Sequence, residues 1–121
     1  MKIKIFLLLF LSSCHELKRD CNFFRTGTFT TEIITDEEVF ISNFERSENL
    51  QIETFKGVVD SVSVRWINNC EMVLTKLNPK NMNEKKSVLI KILQTTNSSY
   101  SYEYSFLGEK KKGKAVAHLV N

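Results

Sequence analysis

The sequence predicts an all-β protein, an eight-stranded antiparallel meander closed into a small up-and-down barrel. Two observations carry this prediction. From residue 22 nearly to the end, apolar and polar residues alternate with the period of two that is typical of strands, and Val, Ile, Thr, Phe and Tyr are frequent. Four glycines and a single proline interrupt this pattern at short turns. Closure would remove both sheet edges, and a two-sheet sandwich is the alternative.

Short polar or glycine-containing turns separate the predicted strands. Pro79 lies in the longest predicted loop, residues 78–86, and Gly27 is expected to bend the first strand. About a hundred residues suffice for one domain with a modest core. The strands are predicted at residues 22–34, 39–46, 50–56, 60–67, 70–77, 87–95, 99–107 and 114–120.

Bulky side chains dominate the strand faces that are expected to point into the barrel. The interior of an eight-stranded barrel is only wide enough for side chains or one small ligand. We therefore expect a packed interior rather than a large cavity. The side chains that alternation assigns to the interior of the fourth to seventh strands are Val62, Val64, Trp66, Cys70, Met72, Leu74, Val88, Ile90, Ile92, Tyr100, Tyr102, Tyr104 and Phe106.

The first fourteen residues have the pattern of an export signal. Lys2 and Lys4 precede an unbroken apolar run at residues 5–11. This run is shorter than the roughly 20 residues of a bilayer-spanning helix, and it has the flanks of a secretory signal. The tetrad LSSC at residues 11–14 resembles the lipobox of bacterial lipoproteins. That resemblance implies cleavage before Cys14, which would then carry diacylglycerol and an amino-terminal acyl chain such as palmitate. The alternative is an ordinary buried cysteine.

The lipobox resemblance divides the chain into a signal peptide (residues 1–13), a lipidated tether (residues 14–20) and one β-barrel-like domain (residues 21–121). Two or three acyl chains, at about 0.8 kcal/mol per buried methylene, hold a protein stably on a membrane. His15 replaces the aspartate that commonly retains such lipoproteins in the inner membrane, which implies the outer membrane of the cell envelope, with the periplasmic face favoured. Loss of the two signal lysines lowers the formal net charge from +3 to about +1, so no nucleic acid partner is expected.

Two cysteines, Cys21 and Cys70, remain after Cys14 is lipidated. An oxidising compartment permits a disulfide between them, and two free thiols are the alternative. Both are expected at one rim, where a flattened barrel would bring them together and a round one would keep them apart. His15 and His118 add no metal-ligand spacing, so neither a metal nor another cofactor is predicted.

Two groups of side chains are candidate contact surfaces. An aromatic stripe on the seventh strand, together with a tryptophan on the fourth, is suited to stacking on a ligand or partner, and core packing is the alternative. A lysine cluster at the last turn is suited to anionic lipid headgroups, and a solvated turn is the alternative. The first group is Trp66, Tyr100, Tyr102 and Tyr104, and the second is Lys110, Lys111, Lys112 and Lys114.

Two further resemblances bear on the fold and the family. The segment RTGTF at residues 25–29 resembles the Gly-x-aromatic signature of lipocalin-like barrels, with Phe in place of the usual Trp. The stretches RWINNCE (65–71), LNPKN (77–81) and DCNF (20–23) resemble a family of small bacterial lipoproteins that has no established activity. Some members carry the label DNA topoisomerase IV. This chain is too short for that activity, has no glycine-rich phosphate loop and is expected to be exported.

Together these patterns predict a membrane-anchored envelope lipoprotein that acts as a non-enzymatic binding module for an envelope protein or glycan. The alternative is a lipocalin-like carrier of a small hydrophobic ligand. No catalytic motif is present, because the adjacent carboxylates at residues 36–38 fall in a turn and no Ser-His-acid set is indicated. The interior volume separates the two functions: a filled barrel favours the module, and a void of ligand-pocket size favours the carrier.

Overall fold

Eight antiparallel strands close into a barrel in the order of the sequence in the computed structural model, which describes residues 19–34 and 36–120. A short 3₁₀ helix, Cys21–Phe24, precedes them. The predicted eight-stranded up-and-down barrel is confirmed, and the sandwich alternative is wrong. The strands are β1 (Gly27–Ile34), β2 (Val39–Arg46), β3 (Leu50–Phe55), β4 (Val58–Asn68), β5 (Glu71–Lys76), β6 (Val88–Thr95), β7 (Ser99–Phe106) and β8 (Gly113–Leu119).

The predicted signal peptide, the lipobox cysteine Cys14 and His15 lie outside the described residues, so their roles stay predictions. Within the described part of the chain, no helix combines the length and the apolar character that crossing a bilayer requires.

The first and last strands pair with each other and close the barrel. β1 pairs with β2 along its whole length, from Gly27 opposite Arg46 to Ile34 opposite Val39. Its other edge pairs with β8, with Phe29 opposite Leu119. Because every strand has a partner on both sides, no strand is left as a sheet edge that could pair with another chain.

The turns divide into two sets, one at each end of the barrel. We call the end that carries the 3₁₀ helix the closed end and the opposite end the mouth. Strands with odd numbers run from the closed end to the mouth, because each strand is antiparallel to the next. The turns at the mouth contain residues 36–38, 56–57, 77–87 and 107–112, and those at the closed end contain residues 47–49, 69–70 and 96–98.

The first strand begins later than the sequence predicts. Residues 22–24 belong to the 3₁₀ helix, which crosses the closed end from the β5–β6 side to the β1–β2 side. On the β6 side, the Asp20 backbone N–H donates a hydrogen bond of 2.8 Å to Thr95 Oγ1. Phe24 is fully buried, and its carbonyl oxygen accepts a hydrogen bond from Arg46 of β2. Phe24 therefore closes the barrel instead of extending β1, while its neighbour Phe23 stays 54% exposed. Alternation alone does not reveal this difference.

A disulfide bonds Cys21 to Cys70, as predicted. The 3₁₀ helix crosses the closed end and so brings Cys21 to Cys70 in the β4–β5 turn. The disulfide therefore does not require the starts of β1 and β5 to lie close together. The two cysteines are separated by 49 residues, and closing such a loop stabilises the fold by about 4 kcal/mol in the chain-entropy model. This contribution is a large share of the roughly 5–15 kcal/mol that stabilises a typical domain.

Candidate ligand-binding cavity

A cavity of about 520 Å³ occupies the barrel interior and opens at the mouth. Its volume lies within the roughly 300–1,000 Å³ that is usual for small-molecule sites. The expected packed interior is therefore wrong. Apolar and aromatic side chains make most of the wall, and polar groups are few and concentrated at the floor and the rim. The apolar lining residues are Ile33, Phe44, Val62, Met72, Leu74, Val88, Ile90 and Phe106.

Unequal distribution of side-chain volume explains the cavity. Aromatic rings crowd the closed end, where Phe29 stacks on Phe44 at 5.1 Å and meets Tyr100 edge-on at 5.6 Å between ring centroids. Nearer the mouth, the small side chain of Ser42 takes an inward position on β2 and lines the cavity. The expectation of a packed interior considered the bulky strands β4 to β7 and missed this small inward residue of β2.

The guanidinium of Arg46 lies at the floor of the cavity and is 3% exposed. All five of its N–H groups meet acceptors. Nε donates to the carbonyl oxygen of Arg25 at 3.1 Å, and Nη2 donates to that of Phe24 at 2.6 Å. Nη1 donates to Gln51 Oε1 at 3.1 Å, and both Nη atoms donate to the Tyr100 hydroxyl at 3.2 Å. None of these acceptors is a carboxylate.

Aromatic faces surround the same guanidinium. The Arg46 Cζ atom lies 4.9 Å from the ring centroid of Phe29 and 5.5 Å from that of Phe44. The rings of Trp66 and Tyr100 follow at 5.7 Å each. Because the negative face of an aromatic ring attracts a cation, and more strongly where water is excluded, these rings offset part of the cost of burying the charge.

A hydrogen-bonded chain leads from Arg46 up the β3 wall. Gln51 is 3% exposed; its carbonyl oxygen accepts from Arg46, and its Nε2 donates to Glu53 Oε1 at 2.7 Å. The Glu53 carboxylate thus balances the guanidinium charge through the amide between them. Burial raises the pKa of Glu53, and this effect outweighs the lowering by the Gln51 hydrogen bond and by the Lys76 charge.

Phenol and hydroxyl groups complete the polar lining. Thr31 Oγ1 donates to the carbonyl oxygen of Val116 at 2.9 Å, so the Tyr102 hydroxyl is the donor in its 3.0 Å bond to Thr31 Oγ1. Burial raises the pKa of Tyr102 to about 12, and burial also raises the pKa of Tyr100. Both phenols are therefore neutral over the physiological pH range.

Charged groups at the mouth are paired with one another. Lys76 Nζ lies 3.2 Å from Glu84 Oε1 and 3.6 Å from Asp60 Oδ2. Lys86 Nζ lies 2.9 Å from Glu109 Oε1, and it also sits over the Phe106 ring at 5.3 Å from the centroid. These partly exposed pairs contribute little to stability, but they leave neither cation without a carboxylate partner.

The structure brings together three of the four predicted aromatic site residues. Tyr100, Tyr102 and Tyr104 line the cavity. Trp66 does not line it; the ring packs at the closed end with Arg25 Cζ 4.8 Å from its centroid. The Trp66 Nε1 atom is buried, and it has no hydrogen-bond partner among residues 19–34 and 36–120.

The predicted lysine cluster lies on the β7–β8 turn and the start of β8, at the mouth. Lys110, Lys111, Lys112 and Lys114 are exposed, and Lys112 Nζ is 3.2 Å from Glu103 Oε1. Contact of these lysines with anionic headgroups stays a prediction.

The sequence analysis missed the polar lining residues of β1, β2 and β3, which are Thr31, Ser42, Arg46, Gln51 and Glu53. On β3 the polar Gln51 and Glu53 face inward, while Ile52 between them is exposed on the outer face. On β2 the polar Ser42 and Arg46 share the inward face with the buried Phe44. The alternation of β3, LQIETF, does contain Gln and Glu two residues apart on one face, and that is the signal that could have indicated an internal polar site.

No group of three or more His, Cys, Asp or Glu side chains in the described part of the chain is placed to hold a metal ion. No protein-family model, curated sequence or solved structure matches this chain. The geometry of the cavity is therefore what indicates a function for this protein.

Replacement of Arg46 by Met should lower the free energy of unfolding by at least about 3 kcal/mol, because it leaves several buried acceptors without a donor. Arg25→Met is the matched control. Arg25 is half exposed and pairs at 3.7 Å with an exposed Glu48, so its loss should cost about 1 kcal/mol or less. Urea unfolding of both variants measures the difference, and equal losses would contradict the role assigned to Arg46.

Glu53→Gln should change the pH dependence of stability. The folded state raises the pKa of Glu53 above its ordinary value of 4.5. The stability that this group contributes to the wild type is therefore complete below that pH and falls as pH rises through the folded-state pKa. The variant lacks this pH-dependent loss of stability. Its free energy of unfolding minus that of wild type should therefore increase from pH 4 upward and then level off. Urea unfolding at a series of pH values tests this, and a constant difference would refute it.

Proposed function

We propose that this protein is a lipid-anchored envelope protein that binds a small, largely apolar molecule inside its barrel. One observation carries the proposal: the cavity of about 520 Å³, apolar in most of its wall and open at the mouth. Interior volume is the property that separates the two functions predicted from the sequence. A void of this size favours the ligand binder over the interaction module without a pocket.

The organisation of the barrel supports this function. The closed end is held by the disulfide and by Arg46, so the floor of the cavity is rigid and preorganised. At the mouth, the side chains of Asn81 and Asn83 on the β5–β6 loop border the opening. A rigid pocket that is open at one end suits reversible binding, because little conformational entropy is lost when the ligand enters.

The proposed anchor is at the opposite end from the opening. The described chain begins at residue 19, beside the 3₁₀ helix, and the Asp20 backbone N–H is bonded to Thr95 at the closed end. An acylated Cys14 would precede this segment. The ligand would then enter from the aqueous side of the protein rather than directly from the membrane that holds the anchor.

A probe of cavity occupancy tests the binding function. N-phenyl-1-naphthylamine is uncharged and fluoresces in apolar surroundings, so we expect it to bind at one molecule per chain. Ser42→Phe should fill part of the cavity and weaken this binding at least tenfold. Ile41→Phe is the matched control, because Ile41 is the neighbouring residue and is 54% exposed on the outer face of β2. Fluorescence titration measures both variants alongside wild type.

Two results would count against the binding function. Absence of probe binding by the wild-type protein would contradict the proposed pocket. Equal affinity in wild type and a folded Ser42→Phe variant would place the probe outside the barrel.

The anchor is tested by the intact mass of the protein extracted from membranes. We expect a chain that begins at Cys14 and carries the added mass of diacylglycerol and a further acyl chain. Cys14→Ser should abolish both the cleavage and the added mass. A wild-type chain that retains residues 1–13 and lacks acyl groups would refute the anchor while leaving the cavity argument intact.

A further inference from the structure

The floor of the cavity offers an anionic ligand no free N–H donor from Arg46. All five N–H groups of its guanidinium are bonded to acceptors within the protein. A carboxylate or phosphate that replaced one of these bonds would leave a buried carbonyl or amide oxygen without a donor. The free energy lost with the broken hydrogen bond is comparable to the free energy gained with the new one. The buried arginine therefore stabilises the barrel rather than attracting an anion.

The cations at the rim also have partners within the protein. Lys76 is paired with Asp60 and Glu84, and Lys86 is paired with Glu109. A ligand anion at the mouth would have to displace a carboxylate that is already part of the protein. An anionic ligand therefore loses its hydration on entry and finds no unpaired cation in the cavity lining.

Two carboxylates line the cavity, and of these Glu84 is already paired with Lys76 at the rim, so a cationic ligand inside the barrel meets that of Glu53. This carboxylate already accepts a hydrogen bond from Gln51 and completes the chain that balances Arg46. With an ammonium group at Glu53, one buried carboxylate would be the counterion of two cations, Arg46 and the ligand. Burial of the ligand cation costs desolvation free energy, and a shared counterion does not offset this cost.

The Tyr100 hydroxyl at the floor remains available as a donor to a neutral ligand. The Tyr100 oxygen accepts two hydrogen bonds from Arg46, and its own proton has no acceptor among the residues that the structure describes. The Tyr102 proton, by contrast, is taken up by Thr31. Tyr100 lines the cavity and is 2% exposed, so water outside the protein does not satisfy its proton.

We propose that the cavity selects uncharged, largely apolar molecules that carry a hydrogen-bond acceptor, such as a ketone, aldehyde or ester oxygen, and that the Tyr100 hydroxyl donates to this acceptor at the floor. This inference rests on the proposed binding function and specifies its ligand class. The apolar body of the molecule lies along the wall formed by Val62, Met72, Leu74 and Ile90. Its acceptor meets the Tyr100 proton, which has no acceptor within residues 19–34 and 36–120.

A panel of molecules with matched chains separates this inference from the proposed function. Decan-2-one, decan-1-ol, decanoate and decylammonium have the same ten-carbon chain and differ in charge and head group. Each is titrated, below its aggregation concentration, against the protein loaded with N-phenyl-1-naphthylamine. Decan-2-one and decan-1-ol should displace the probe, with affinities at least tenfold higher than those of decanoate and decylammonium.

The role of Tyr100 has a spectroscopic readout that a purely structural role would not affect. The C=O stretching band of bound decan-2-one should shift to lower frequency than in alkane solvent, because the carbonyl accepts a hydrogen bond. Tyr100→Phe should abolish this shift. If that variant does not fold after losing two bonds to Arg46, the infrared band in wild type and the matched-chain panel still decide the proposal.

The possible outcomes are distinct. If neither the probe nor any panel molecule binds, the proposed function fails. If decanoate or decylammonium binds as tightly as decan-2-one, the selection of uncharged ligands is refuted while the binding function stands. If decan-2-one binds preferentially but its carbonyl band is unshifted, Tyr100 is not its donor.

Discussion

The buried guanidinium of Arg46 is the interaction on which the rest of the structure depends. It joins four parts of the closed end: the 3₁₀ helix through Phe24, the bend before β1 through Arg25, β3 through Gln51 and β7 through Tyr100. A charge buried this deeply is costly unless its hydrogen-bonding groups are satisfied. Here all of them are satisfied, the aromatic faces supply further attraction, and the carboxylate of Glu53 balances the charge through one intervening amide.

This arrangement at the closed end allows a small barrel to tolerate an internal cavity. A domain of about a hundred residues has limited apolar area to bury, and a void removes packing contacts from that area. The aromatic cluster around Phe29 concentrates the available packing at one end. The disulfide between Cys21 and Cys70 constrains the unfolded chain and so offsets part of the loss. The aromatic cluster and the disulfide thus stabilise the closed end, and the cavity extends from there to the mouth.

The polar groups of the interior have two separate roles. Arg46, Gln51 and Glu53 are bonded mainly to the protein itself and hold the floor in one arrangement. The Tyr100 hydroxyl belongs to that network as an acceptor but keeps a donor for another molecule. A floor with satisfied charges and a remaining neutral donor discriminates by hydrogen bonding and shape, because charged molecules lose hydration on entry without compensation.

The sequence by itself determined the fold class and most of the strands. Period-two alternation located β2 to the residue and placed Val62, Ile90 and Tyr100 on inward faces, since side chains on a strand alternate strictly between its two faces. The same pattern could not identify the 3₁₀ helix, because two adjacent aromatic residues such as 23–24 are compatible with either a strand or a short helix across the end of the barrel. It also could not reveal the cavity, whose volume depends on which inward residues share a layer of the closed barrel.

Only the tertiary structure decided how the candidate site is built. Closure placed Arg46 of β2 against Tyr100 of β7, residues 54 positions apart, and made Arg46, Gln51 and Glu53 part of the interior. It moved Trp66 away from the cavity wall to the closed end, although the sequence treats Trp66 and the three tyrosines alike. Local pattern specifies which face of a strand is buried. It does not specify which faces meet, because that depends on strand order, register and the segment that crosses the end of the barrel.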